Sequence, residues 1–156
     1  MGFNLGDELI KALRDKTNEI INIERGKVFV VKTKPFYEKT KIKLYIENES
    51  EEKSRPIVVL YADNQTFTAF ALSSKSPALV FQRKTRLEIS LKSCNLHKED
   101  CFRIIFKDKA YVFILKDDYK IRVNINAFKE LLNQSQAKFC GKCSEELLNY
   151  VEKYYT

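Results

Sequence analysis

The chain has 156 residues, 44% of them hydrophobic and 12% aromatic, enough to build one core and too much for wholesale disorder. Only 4 Gly and 3 Pro leave little room for a flexible linker, and no apolar run approaches the length of a membrane-spanning helix. With 28 basic and 21 acidic residues the net charge is +7, which favours a polyanionic partner or, equally, a Lys-rich solvated surface.

In chain order, residues 5–22 place Leu5, Leu9, Ile10, Leu13, Ile20 and Ile21 at roughly helical spacing behind a capping Asn4, predicting an N-terminal helix within 1–23. Strand signals follow: 27–33 (KVFVVKT), the strictly alternating 41–47 (KIKLYIE), 56–62 (PIVVLYA) and 66–72 (TFTAFAL). The continuous apolar run of 56–62 reads as a buried central strand opened by Pro56, and Asp63-Asn64-Gln65 as a hairpin turn. Further strands are expected at 78–82, 86–92, 102–106, 110–115 and 119–125, with tight turns at 107–109 and 116–118. Residues 127–139 then read as a helix capped by Asn126 and ended by Gly141, and 145–155 as a second helix started by Ser144. The expected fold is therefore mainly β: a small SH3-like antiparallel barrel over 24–125, preceded by one helix and followed by a C-terminal helical hairpin at 126–156, in a single domain.

Three blocks resemble the MazF/PemK family of toxin endoribonucleases. ERGKVFVV (24–31) is similar to that family's first strand, KSRPIVVL (53–60) to its Arg-Pro strand, and FTAFALSSK (67–75) to a strand ending in a hydroxyl residue. The resemblance implies a small barrel that cleaves single-stranded RNA without a metal, by attack of the ribose 2′-hydroxyl on the adjacent phosphate. It implies Arg55 and Ser73 as the functional pair, with Lys53, Ser74 and Lys75 beside them as nucleic-acid contacts. It also implies an antitoxin protein as partner and a homodimer; the lack of a basic-then-apolar secretory layout at the amino terminus and of any membrane-length apolar run leads to the expectation of a cytoplasmic setting.

The chemistry suits the residues: in-line attack builds charge on the phosphate oxygens, and an arginine offers a planar fork of donors for it. Arginine stays protonated, so the base lies elsewhere; Glu47, Glu49, Glu51 and Glu52 precede Arg55 in sequence. The sequence departs from the family in the segment before its first strand, in Ser73 where Thr is usual, and in 36–52, which lacks a Gly-rich loop. A non-catalytic small-barrel module, binding nucleic acid or protein, is the alternative.

The four cysteines are expected to be unpaired and structural. A zinc site from Cys94, His97, Cys140 and Cys143, a redox-active CGKC at 140–143, or a disulfide are the alternatives, the last fitting an intracellular setting in a hyperthermophile. High Lys and Glu without Trp are compatible with a thermophile source. A single histidine excludes a two-histidine ribonuclease mechanism.

Overall fold

The computed structural model describes residues 22–44, 54–73, 86–97, 108–113 and 121–153. The predicted helix within 1–23 and the predicted strands at 78–82 and 102–106 lie outside these residues. So do Lys53, Ser74, Lys75, the turn at 116–118 and the glutamates at 47–52.

The fold is mainly β, 47% strand against 27% helix among the described residues, its sheet curled into a half-barrel. The strands are β1 (Lys27–Lys32), β2 (Ser54–Ala62), β3 (Thr66–Ser73), β4 (Arg86–Ser90), β5 (Asn95–Leu96), β6 (Lys109–Phe113), β7 (Ile121–Asn124) and β8 (Ala137–Lys142). Among the described residues the helices are α1 (Thr33–Thr40), α2 (Ile125–Asn133) and α3 (Glu145–Glu152). The sheet runs β4-β6-β3-β2-β1-β8-β5, with β7 also on β3, and every pairing is antiparallel.

Strand β3 produces the curl. Along one edge it follows β2; along the other, Thr66 to Ala69 pair with β7 and Leu72 and Ser73 pair with β6. A single strand thus feeds two branches of sheet. Register shifts between Val59 and Tyr61 and between Val28 and Phe29 add local bend, as bulges do.

The strands read as unbroken apolar runs because both sheet faces are covered. Val28, Val30, Val58, Leu60, Phe70 and Leu72 point inward, where α3 lays Leu147, Leu148 and Val151 on them. Phe29, Val31, Ile57, Val59, Phe67 and Ala69 point outward, under Phe36 of α1 and Phe128, Leu131 and Leu132 of α2. Arg25 clamps α3 to the sheet: its Nη1 donates to the Leu60 carbonyl at 2.9 Å and to Glu152 at 2.8 Å, and its Nε to Glu145 at 3.0 Å. Lys39 of α1 and Glu130 of α2 form an ion pair.

Two expectations need correction. The strand expected from 41 is not formed at 41–44; the chain instead turns a helix over 33–40, ended by Lys41 at φ 63. The helix sets Phe36 into the outer core. The C-terminal helices also do not form a simple hairpin. The first is capped by Asn124 rather than Asn126, stops at Asn133, and is followed by β8, which fills the edge of β1. Ala137 and Cys140 are buried while Lys138 and Lys142 are exposed, the mark of a strand in contact with a core. Ser144 caps α3 as expected, its hydroxyl accepting from the Leu147 amide at 3.3 Å.

Gly141 is the residue that lets β8 hold β5. Its φ is 149°, and a Cβ there would overlap the Asn95 carbonyl oxygen and lie 2.7 Å from the Leu96 Cα. Only glycine permits that approach.

The β2–β3 turn is closed by Asp63, whose Oδ1 accepts from the Gln65 amide at 2.7 Å and the Thr66 amide at 2.8 Å. These bonds, the Thr66 amide first and the Gln65 amide next, hold its carboxyl below the ordinary value. A depressed folded-state pKa adds stability above the unfolded value of about 3.9 and loses it as pH falls through the lower folded value. Asp63→Ala is therefore expected to melt below the parent at pH 7, with the gap closing as pH falls below about 4. Melting curves from pH 7 to 2 check this; a gap independent of pH would show that the carboxylate is not what closes the turn.

Candidate RNA-cleavage site

Strand β2 sets Arg55 at its second position, half-buried and opposite Val31 of β1. Pro56 is the third residue of β2 rather than its first, buried opposite Val30. Pairing of β2 with β3 begins one residue later, at Ile57 with Ala71. A proline has no N–H to give to a ladder, so β3 can part from β2 here and turn to β6.

This parting forms the mouth of the site. Ile57 faces Ala71 and Val58 faces Phe70; Arg55 and Ser73 each lie two residues beyond the Ile57–Ala71 pair, at the same end of the two strands. Arg55 shares side-chain parity with Ile57 and Val59, and Ser73 with Ala71 and Ala69, so both belong to the outer face. The whole hairpin separates the two residues in sequence, and its antiparallel return brings them to one end of adjacent strands.

The row continues beyond them. Ser73 is the register partner of Tyr111 on β6, and Tyr111 that of Glu88 on β4. The Tyr111 hydroxyl donates to Glu88 Oε1 at 3.3 Å, and Lys109 Nζ lies 3.8 Å from the same oxygen. Arg55, Ser73, Tyr111 and Glu88 thus form a polar row across four neighbouring strands, about 14 Å long at the usual strand spacing. At its Glu88 end opens a groove of about 740 Å³ between β4 and α3, lined among others by Ser90, Lys92, Lys109, Glu146 and Lys153.

The members of the row differ in exposure. Arg55 is half-buried with its Nε covered, whereas Ser73 is only 4% exposed. Arg55 is the more exposed of the two. Tyr111 and Glu88 were missed from sequence. Their alternation in RLEIS and KAYVF marks them as facing away from the inner core, but only the pairing of β3 with β6 puts them beside Ser73.

The cysteines are arranged otherwise than expected. Cys140 is in a disulfide, which corrects the expectation of four unpaired thiols and removes it as a thiolate ligand in the zinc alternative. Cys94 and Cys143 carry free thiols, 2.9 Å apart. His97 is exposed, its amide donating to the Cys140 carbonyl at 2.7 Å and its ring 6.2 Å from that of Phe139. Among the described residues no group of three or more His, Cys, Asp or Glu side chains is placed to hold a metal ion. No described helix is long and apolar enough to cross a membrane.

No family model, no curated protein and no solved structure matches this chain.

Proposed function

We propose that this chain is an endoribonuclease that cleaves single-stranded RNA without a metal, as the toxin of a toxin–antitoxin pair. One observation carries the reading: the β2–β3 register sets Arg55 and Ser73, from opposite ends of the hairpin sequence, at the same end of adjacent strands on one face. A phosphate over that end meets a guanidinium with a hydroxyl behind it.

In this reading the ribose 2′-oxygen attacks phosphorus and the bond to the 5′-oxygen of the next nucleotide breaks. The products are a 2′,3′-cyclic phosphate and a 5′-hydroxyl. Arg55 stabilises the charge that develops on the phosphate oxygens, where a fixed cationic donor counts most. Ser73 orients the arginine or donates to one of those oxygens. The +7 charge draws the RNA in, and Tyr111 offers a ring on which a neighbouring base can stack. A homodimer in the cytoplasm, held in check by an antitoxin protein, completes the proposal.

The test is incubation of the purified protein with mixed single-stranded RNA in EDTA, followed by analysis of product ends. Fragments with cyclic phosphate and 5′-hydroxyl termini are expected. Salt-sensitive RNA binding without any cleavage would instead assign the chain to the non-catalytic nucleic-acid-binding alternative.

A further inference from the structure

We propose that Cys94 and Cys143 form an oxidation site: a dithiol that a peroxide converts to a disulfide, locking the β4–β5 turn to the start of α3. The proposal is independent of the RNA-cleavage reading.

The geometry is that of a bond almost made. The two sulfurs are 2.9 Å apart, against about 2.05 Å in a disulfide, so a movement of roughly 1 Å closes the gap. The backbone on each side is held by short contacts. The Cys94 amide donates to the Leu91 carbonyl at 3.0 Å, and the Cys143 amide to the Gly26 carbonyl at 2.8 Å. One residue along on each side of the pair, the Ser93 and Ser144 hydroxyls meet at 2.8 Å.

The two thiols differ in the way such a reaction requires. Cys94 is only partly buried, next to exposed Ser93, which lines the groove between β4 and α3, so a small oxidant can reach it. Cys143 is only 3% exposed, at the edge of the inner core. The Cys94 thiol is held below its ordinary range, chiefly by the hydrogen bond with Cys143 and also by the Ser144 amide, against the opposing effect of burial. Cys143 is pushed upward by the same bond and by burial, so it keeps its proton. Cys94 is the attacking thiolate and Cys143 the resolving thiol.

The steps balance. The Cys94 thiolate attacks one oxygen of hydrogen peroxide, the O–O bond breaks, and hydroxide leaves and takes up a proton as water. The product is a sulfenic acid on Cys94. The Cys143 sulfur then attacks that sulfur, passes its proton to the departing hydroxyl, and a second water leaves as the S–S bond forms. Two electrons pass from the dithiol to the peroxide.

Closing the bond ties together residues 49 apart in sequence. Because Cys140, three residues from Cys143, is already in a disulfide, the new bond closes a smaller additional loop, and a rise in melting temperature of about 5 °C is expected.

The experiment treats the purified full chain with hydrogen peroxide, alkylates the remaining thiols under denaturing conditions, and maps the peptides without reduction. The expected result is joint loss of alkylation at Cys94 and Cys143, a cross-linked peptide pair lighter by two hydrogens, and the rise in melting temperature. In Cys94→Ser the cross-link and the rise should both be absent, while the untreated variant melts close to the untreated parent. Three outcomes would overturn the proposal: both thiols still alkylated after peroxide, Cys94 carried to a sulfinic acid with Cys143 still alkylated, or Cys143 linked to Cys140 instead. The cross-link is read in the unmodified sequence, so it does not depend on how any variant folds.

Discussion

Arg55→Ala is expected to slow single-turnover cleavage of single-stranded RNA in EDTA by roughly 100- to 1000-fold, a loss of about 3–4 kcal/mol of transition-state stabilisation. The reason is positional. Arg55 sits half-buried at the mouth where β3 leaves β2, with Ser73 at the same end of the neighbouring strand. In the proposed reaction its guanidinium stabilises the charge on the phosphate oxygens, which alanine cannot do. Because Arg55 is half-buried, covered at Nε and paired with Val31 in the β1–β2 ladder, the rate is read beside a melting control. Arg55→Lys should recover only part of the rate, since an ammonium keeps the charge and loses the fork. Ser73→Ala should cost less than Arg55→Ala, as a neutral donor contributes less than a charged one. Because Ser73 is 4% exposed, its variant needs a melting control beside the rate. Unchanged cleavage in Arg55→Ala would remove the arginine from the chemistry and reduce Arg-Pro to the opening of a strand.

Phe128→Ala is expected to destabilise the fold by about 3–5 kcal/mol. Phe128 is fully buried on α2 and meets two rings edge-on, Phe29 at 5.1 Å and Phe67 at 5.0 Å between centroids. Its removal leaves a cavity between helix and sheet and two aromatic partners facing it. For a chain of this size the melting temperature should fall on the order of 10 °C. Thermal melting and a urea titration together measure it. A loss under about 1 kcal/mol would mean that α2 can be lifted from the sheet without cost, and that the outer face is not a second core.

The elements that could be read from the chain are those whose local pattern and tertiary setting agree. The run KVFVVK, the hairpin around Asp63 and the capped start of α3 at Ser144 each carry their own chemistry: β-branched residues, an Asx turn, a hydroxyl cap. The nearness of the β2 and β3 ends that carry Arg55 and Ser73 belongs to this class, because a two-strand hairpin with a short turn dictates which ends meet. The mainly β class with helices followed from the density of such signals.

What the chain alone could not decide was which edges pair. The stretch AKFCGK is weak as an isolated strand and continues a helical pattern from α2; it becomes β8 because the open edge of β1 offers it a ladder and Gly141 allows β5 to approach. The stretch TKPFYEKT becomes helical because Phe36 gains a place in the outer core. Tyr111 and Glu88 join the row beside Ser73 only through the branching of β3, and Cys94 meets Cys143 only through the packing of α3 against the β4–β5 turn. Local propensities are worth tenths of a kcal/mol per residue, whereas a paired edge or a buried aromatic ring is worth several, so contacts distant in sequence decided these four placements.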